Sequence, residues 1–136
     1  MNLELHLQIA GCLQLLLAMA HLVFPRLFRW REELDNVSLF TRQVFWVHTG
    51  FIALVVAGFG LLSVACSDEL LELNALAFAI LGGLAVFWLA RWFCQFFVYS
   101  PALWQGNRFN TMMHICFSLL WTYLVAVYAI AFAGQL

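Results

Sequence analysis

The chain contains no lysine, and it has little charge of any kind. All six basic residues are arginine, and charged residues make up 10% of the 136 residues, whereas 65% are hydrophobic. Soluble domains are about one quarter charged. This shortage of charge excludes nucleic-acid binders, disordered tails and soluble secreted mini-proteins. The composition predicts an integral membrane protein with little mass outside the bilayer.

The sequence motifs of familiar enzymes are also missing. We find no GxSxG, HExxH, P-loop or GxGxxG pattern. The four cysteines form no CxxC pair, which predicts neither a disulfide framework nor a catalytic thiol. No carboxylate falls within a predicted span, which argues against a proton-relay pump. Whether the protein is an enzyme stays open, and its catalytic residues are unknown.

Long uncharged stretches are what the sequence does contain. Four of them predict transmembrane helices over about residues 4–24, 39–66, 71–99 and 109–133, because a spanning helix needs about 20 apolar residues. We predict an all-α fold, an integral membrane four-helix up-and-down bundle, with residues 1–136 as a single transmembrane domain. The glycine pairs at 58 and 60 and at 82 and 83 are predicted to be helix-packing sites.

The first connection is predicted to contain a short helix in the membrane interface. Pro25 should end the first helix, and Leu27, Trp30 and Leu34 have the spacing of an interfacial helix over about residues 26–35. The candidate N-caps of the next span are Asp35, Asn36 and Ser38.

The arginines predict the orientation. Four of them lie in or beside the first connection and Arg108 lies in the third, whereas the second connection is acidic. The positive-inside tendency then places connections one and three in the cytoplasm and both termini outside it, as in a multi-pass protein of the bacterial inner membrane. No basic residue precedes the first apolar run, so a cleavable signal peptide is not expected.

Three histidines are predicted to share one depth in the cytoplasmic half of the membrane. His21 lies one turn before Pro25, while His48 and His114 lie near the starts of the second and fourth spans. Arg91 and Gln95 are four residues apart and so lie on one face of the third span. Ionisable groups are costly at membrane depth, so this layer requires an explanation.

One interpretation is a cofactor site for haem b or a transition metal. The candidate metal ligands are His21, His48 and His114, and the preferred axial pair for haem is His48 and His114. Arg42 and Arg108 each precede one of these two histidines by six residues, about 9 Å along a helix, and would pair with the haem propionates.

Arg91 and Gln95 complete the candidate cofactor-binding set, and the predicted partners of Arg91 are Glu32, Glu33 or a bound anion. The predicted apolar walls are Phe45, Trp46, Phe117 and Trp121, and the predicted interfacial aromatic residues are Trp30, Trp46, Tyr99 and Trp104.

The alternative interpretation gives the histidines a structural role. Each imidazole would then bond to a neighbouring carbonyl or glutamine and hold helices in register. The protein would be a non-enzymatic accessory or scaffold subunit, docked through its apolar faces onto a larger membrane complex or a second copy of itself. A transporter ranks third, because four short helices must oligomerise to enclose a path. In every case the lipid bilayer is a partner and nucleic acid is not.

Two resemblances add to this interpretation. The runs FPRLFRWREEL, RQVFWVHTGF and QFFVYSPALW resemble a family of small bacterial four-helix integral membrane proteins, a likeness that covers most of the chain and implies no activity. More weakly, the length, the helical bundle and Pro25-Arg26-Leu27-Phe28 resemble the haem-binding membrane protoporphyrinogen oxidases. That family pairs a histidine early in helix 1, which His6 could match, with a lysine in helix 3. The present chain has no lysine, so no catalytic residue is carried over.

Overall fold

The computed structural model describes residues 2–136, and those residues form helices and turns without any β-strand. The α-helices are α1 (Leu3–Ala20), α2 (Phe24–Leu27), α3 (Trp30–Leu34), α4 (Leu39–Ala65), α5 (Ala75–Phe93) and α6 (Arg108–Ala133). Short 3-10 turns lie at Glu69–Leu71 and Pro101–Leu103, and α5 continues into a π-helical turn at Cys94–Val98. The predicted all-α class is confirmed.

Four helical segments are long and apolar enough to cross a membrane. They are Leu3–Ala20, Leu39–Ala65, Ala75–Val98 and Arg108–Ala133. Only 17–28% of the residues in their most apolar windows are buried, so most of their apolar side chains are at least partly exposed. A soluble protein rarely exposes so large an apolar surface. The chain therefore has the helix lengths and surface of a multi-pass membrane protein.

The chain is divided into two compact units. We define the N-terminal unit as Gln8–Cys66, and the C-terminal unit as the residues up to Leu7 together with Ser67–Leu136. The N-terminal unit contains most of α1 and all of α2, α3 and α4. The C-terminal unit contains α5, the π-helical turn and α6.

All four long helices begin at a side-chain cap, and at α1 the Asn2 side chain accepts from the Leu5 amide at 3.2 Å. The Ser38 hydroxyl accepts a hydrogen bond from the Thr41 amide at 3.2 Å, which starts α4 as the sequence predicted. The Asn74 side chain accepts from the Ala77 amide at 2.8 Å, and the Asn107 side chain accepts from two amides at the start of α6. Such caps satisfy amides that have no partner within the first turn of a helix.

Helix α1 ends earlier than the predicted residue 24. It stops at Ala20, and Pro25 lies in the first turn of the separate helix α2. A proline ring clashes with the carbonyl four residues before it, here that of His21, whereas a proline is well tolerated in a first turn. The ladder of α1 therefore breaks before the proline and a new helix begins there.

The predicted interfacial helix over residues 26–35 is split in two. Arg29 separates α2 from α3 and has a left-handed backbone, with φ of 52°. A left-handed backbone costs a residue other than glycine about 1–2 kcal/mol, so it is not expected from sequence. The spacing of Leu27, Trp30 and Leu34 continues across Arg29 and therefore does not reveal the break.

In the N-terminal unit, α1 and α4 meet backbone to backbone at two glycines. A Cβ atom at Gly11 would lie 2.7 Å from the Gly60 carbonyl oxygen and 2.7 Å from Val64 Cγ2. A Cβ atom at Gly60 would lie 2.9 Å from the Gly11 carbonyl oxygen. Small residues allow this close approach, as membrane helices require. Gly60 thus confirms the predicted packing role, whereas a Cβ atom at Gly58 would have nothing within 4 Å of it.

In the C-terminal unit, α5 and α6 form an antiparallel hairpin. Phe78 contacts Phe132 at one end with ring centroids 4.8 Å apart, and Gln95 contacts His114 at the other. Midway between them, Trp88 stacks on Trp121 with centroids 5.4 Å apart. The other buried apolar residues of α5 and α6 are Ala77, Leu81, Leu84, Leu124, Val127, Tyr128 and Ala131.

Candidate functional site

The strongest constellation of polar groups surrounds the π-helical turn that follows α5. Gln95 lies in that turn and is only 5% exposed. Its amide contacts Arg91 on α5, and His114 and Trp121 on α6. We refer to these four residues as the Gln95 cluster. Single π-turns inserted in α-helices occur frequently at functional sites.

The neighbours of Gln95 determine how its amide is oriented. Its Oε1 accepts from Trp121 Nε1 at 3.2 Å and from Arg91 Nη1 at 3.4 Å. Both neighbours can only donate, so the oxygen must face them. The Gln95 Nε2 amide is then left to donate to His114 Nδ1, 2.7 Å away.

This contact in turn determines the tautomer of His114. With Gln95 Nε2 as the donor, His114 Nδ1 is the acceptor, which corresponds to the tautomer that carries its proton on Nε2. The Trp104 indole stacks on the ring at a centroid distance of 3.8 Å and covers one face of it. Trp104 is itself held by its carbonyl, which accepts from the Thr111 hydroxyl at 2.8 Å.

The tautomer bears on the predicted ligand role of His114. A histidine that binds a metal through Nε2 needs a lone pair there and a proton on Nδ1. A proton on His114 Nδ1 would face the Gln95 amide donor, and turning the amide over would place its NH₂ group against the donors of Arg91 and Trp121. The arrangement favours the structural interpretation of His114 over the ligand interpretation.

Arg91 has aromatic neighbours and no carboxylate partner among residues 2–136. Its guanidinium carbon lies 4.7 Å from the centre of the Trp121 ring and 5.3 Å from that of Tyr99. Its side chain is half-buried, and within residues 2–136 no acidic residue forms an ion pair with it. Gln95 Oε1 is the one acceptor it bonds in the described part of the chain. Most of the five guanidinium donors therefore lack an acceptor among the residues that the structure describes.

A second donor near the cluster is also unmatched. Trp88, which stacks on Trp121, is 1% exposed, and its indole Nε1 has no hydrogen-bond partner among the described residues. A buried donor without an acceptor costs about 1–3 kcal/mol. In and beside the Gln95 cluster, donors outnumber acceptors.

The other histidines each bond through Nδ1 as well. In the N-terminal unit, His21 Nδ1 lies 2.8 Å from the Leu17 carbonyl oxygen and His48 Nδ1 lies 2.9 Å from that of Val44. A carbonyl can only accept, so both rings donate from Nδ1. In the C-terminal unit, His6 Nδ1 lies 3.0 Å from the Tyr123 hydroxyl oxygen. The structural interpretation predicted bonds to carbonyls and to glutamine, and three of the four histidines have them.

The predicted ligand set is divided between the two units. His21 and His48 belong to the N-terminal unit and His114 to the C-terminal unit. Within residues 2–136 no group of three or more His, Cys, Asp and Glu side chains is placed to hold a metal ion. The three-histidine metal site stays a prediction.

The two arginines predicted to pair with haem propionates differ in their surroundings. Arg42 Nη1 lies 3.5 Å from Asp35 Oδ1, which makes it part of an ion pair. Arg108 is the exposed first residue of α6 and has no ion pair among residues 2–136. The pairing of Arg42 and Arg108 with haem propionates stays a prediction.

The structure brings together the sequence-predicted residues Arg91, Gln95 and His114, and it adds aromatic residues in unexpected roles. Trp121 was expected to be an apolar wall, and Tyr99 and Trp104 interfacial anchors. In addition to these predicted roles, Trp121 donates to Gln95, and both Trp121 and Tyr99 contact the Arg91 guanidinium. The seven-residue spacing from His114 to Trp121 is the sequence signal that places them on one helix face.

Comparison with known proteins supplies no family for this arrangement, because the chain matches no family model, no curated protein and no solved structure.

Proposed function

We propose that this chain is a multi-pass protein of the bacterial inner membrane that binds an anionic group, a carboxylate or a phosphate, at Arg91. The observation that carries the proposal is the surroundings of Arg91. It lies within the candidate span Ala75–Val98 and contacts two aromatic rings and one amide oxygen, without a carboxylate partner in residues 2–136. The protein then acts by binding, and the Gln95 cluster needs no redox chemistry.

A charged side chain at membrane depth carries an energetic cost. Arginine near the centre of a span costs about 2.5–3.5 kcal/mol on insertion scales, and such residues pair with an opposite charge or a water-filled cavity. The two rings beside Arg91 stabilise the cation through cation–π contacts worth about 0.5–2 kcal/mol each. They do not neutralise its charge. An anion from outside the chain would do so.

The shape of the guanidinium narrows the class of ligand. Its planar fork of N–H groups matches carboxylate and phosphate oxygens in bidentate fashion, which a lysine ammonium cannot do. Gln95 Oε1 accepts a hydrogen bond from one nitrogen of that fork, and two aromatic rings lie against the guanidinium. Such preorganisation lowers the entropy lost on binding. Arg91 lies toward the end of its span that the positive-inside tendency assigns to the cytoplasm, so we place the ligand in the cytoplasmic half of the membrane.

We expect dodecyl phosphate or laurate to stabilise the full-length protein in a neutral detergent, and dodecanol to do so much less. The three probes share a chain length and differ in charge, so the difference reports the anionic group. A ligand at 100 times its Kd adds about 2.7 kcal/mol to the free energy of unfolding. Thermal unfolding at increasing probe concentration measures the effect.

Variants locate the binding site. Arg91→Gln should weaken binding of the anionic probes tenfold or more, since bonds to a charged group contribute about 1.5–3 kcal/mol. Arg91→Lys should retain part of it as a point charge. Arg108→Gln removes an exposed arginine and should bind like the wild type. Equal stabilisation by dodecanol, or undiminished binding by Arg91→Gln, would contradict the proposal.

A second candidate function is haem or metal binding through His21 and His48. It is favoured by their shared bonding pattern, because each donates from Nδ1 to the carbonyl four residues earlier and keeps its Nε2 lone pair for a ligand. The second residue of the sequence-predicted axial pair, His114, has the opposite tautomer.

This candidate makes a spectroscopic prediction. If haem is bound, the purified protein shows a Soret band that shifts on reduction with dithionite, and His48→Ala abolishes it while His114→Ala does not. Elemental analysis of the same sample tests for a metal without haem. A preparation with neither a Soret band nor a stoichiometric metal, even after incubation with hemin or Zn²⁺, would count against the candidate.

A further inference from the structure

An open groove in the N-terminal unit lies where α3 meets the first turns of α4. Its volume is about 510 Å³, within the range of small-ligand sites. The residues that line it are Arg31, Leu34, Asp35, Arg42 and Trp46. We call it the α3–α4 groove. It shares no residue with the Gln95 cluster, so a ligand in this groove is independent of the proposed function.

The charged groups of the groove keep hydrogen-bonding capacity for a ligand. Arg42 Nη1 lies 3.5 Å from Asp35 Oδ1, whereas a charge-assisted hydrogen bond of this kind measures about 2.7–2.9 Å. The two side chains are 38% and 74% exposed, so a ligand can reach both. Arg31 forms no ion pair within residues 2–136. The groove therefore offers two guanidinium groups and one carboxylate side by side.

The length of α4 places this groove at the level of lipid headgroups. The helix has 27 residues and is about 40 Å long, whereas the hydrocarbon core is about 30 Å thick. At the average tilt of about 20° the helix still spans about 38 Å along the membrane normal, so several ångströms of it project beyond the hydrocarbon. The charged first turn with Arg42 is the end suited to project, because the opposite end is apolar up to Ala65. Trp46 then lies at the boundary, where tryptophan is enriched, and the apolar Val47 beside it is 54% exposed.

We propose that the α3–α4 groove binds the headgroup of a phospholipid that carries both a phosphodiester and a primary ammonium group, as phosphatidylethanolamine does. Arg31 and Arg42 bind the phosphate oxygens, since guanidinium groups match phosphate geometry. Asp35 accepts hydrogen bonds from the ammonium group. The acyl chains lie along the exposed apolar side chains of α4 that begin at Val47.

Asp35 should make the groove select a primary ammonium headgroup over choline and glycerol headgroups. A primary ammonium has three N–H donors for a carboxylate, whereas the quaternary ammonium of choline has none. Phosphatidylglycerol has no cationic group to offset the carboxylate charge. A soluble phosphoethanolamine shares the charges of the headgroup but makes no acyl contacts, so it should bind much more weakly than the lipid.

Native mass spectrometry of the full-length protein tests this selectivity. Phosphatidylethanolamine, phosphatidylglycerol and phosphatidylcholine with identical acyl chains are added at equal concentration, with soluble phosphoethanolamine as a separate arm. We expect phosphatidylethanolamine to be retained about tenfold over phosphatidylcholine, the effect of one charge-assisted hydrogen bond. Equal retention of these two lipids would overturn the proposal. Binding of soluble phosphoethanolamine as tight as that of the lipid would overturn the lipid assignment.

Three variants test which residues bind the ammonium group and which bind the phosphate. Asp35→Asn should remove the preference for phosphatidylethanolamine over phosphatidylcholine while both lipids still bind. Arg31→Gln and Arg42→Gln should each weaken the binding of all three lipids about tenfold. Arg26→Gln changes an exposed arginine outside the groove and should behave like the wild type. An unchanged preference in Asp35→Asn, or unchanged binding in both groove arginine variants, would contradict the assignment; circular dichroism checks that each variant is folded.

Discussion

Replacement of Gln95 by leucine should lower the free energy of unfolding by about 2–5 kcal/mol. Leucine fills a similar volume but offers neither an acceptor nor a donor. The change leaves the buried Trp121 N–H group and the half-buried His114 Nδ1 without these partners, and it removes the acceptor of Arg91. Each unsatisfied buried polar group costs about 1–3 kcal/mol. Thermal or denaturant unfolding of the full-length protein in detergent measures the loss.

Two further variants separate the hydrogen bonds from simple packing. Gln95→Glu keeps acceptors for Arg91 and Trp121 and loses only the donor to His114, so it should cost less than Gln95→Leu. Gln43→Leu makes the same chemical change at an exposed site of α4 and should alter stability by less than about 0.5 kcal/mol. If Gln95→Leu were as mild as Gln43→Leu, the cluster would not stabilise the hairpin.

Gly11→Ala should destabilise the N-terminal unit by about 1–3 kcal/mol, the usual cost of overpacking. The new methyl group would lie 2.7 Å from the Gly60 carbonyl oxygen and 2.7 Å from Val64 Cγ2, so α1 and α4 must move apart. Gly60→Ala should have a similar effect, because its methyl group would lie 2.9 Å from the Gly11 carbonyl oxygen. A lower thermal unfolding temperature and less protein in the membrane fraction are the measurements.

Gly58→Ala is the matched control for this experiment. Gly58 is also inside α4, but nothing lies within 4 Å of an added methyl group. Alanine favours helix over glycine by about 1 kcal/mol, so this variant should be neutral or slightly stabilised. The two substitutions on α4 are chemically identical and should have opposite signs. The same sign and size at Gly58 and Gly60 would show that close helix contact does not explain the effect.

The spans were predictable because a membrane helix needs a long apolar run, and such a run can be counted in the sequence. The start of α4 at Ser38 was predictable from its cap, because capping is a local interaction. The split of the interfacial helix at Arg29 was not predictable, since an arginine rarely adopts a left-handed backbone and the sequence around it carries no signal for one. Nor was the π-helical turn at Cys94–Val98, whose residues continue the largely apolar run of α5.

The candidate site was predictable in part for the same reason. Arg91 and Gln95 are conspicuous as polar residues in an apolar span, and a spacing of four residues puts them on one helix face. The role of Trp121 could not be read, because a tryptophan in a span fits both an apolar wall and a hydrogen-bond donor. Only its distance of 3.2 Å from Gln95 Oε1 distinguishes the two.

The sequence by itself determined that this chain is helical, that four segments can cross a membrane, and that few polar residues lie within them. Hydropathy and caps are local, so composition and spacing suffice for these conclusions. The tertiary structure decided which polar groups meet. It set the His114 tautomer through Gln95, surrounded Arg91 with rings and no carboxylate among residues 2–136, and distinguished Gly60 from Gly58. These outcomes depend on contacts between residues distant in the chain, which hydropathy does not encode.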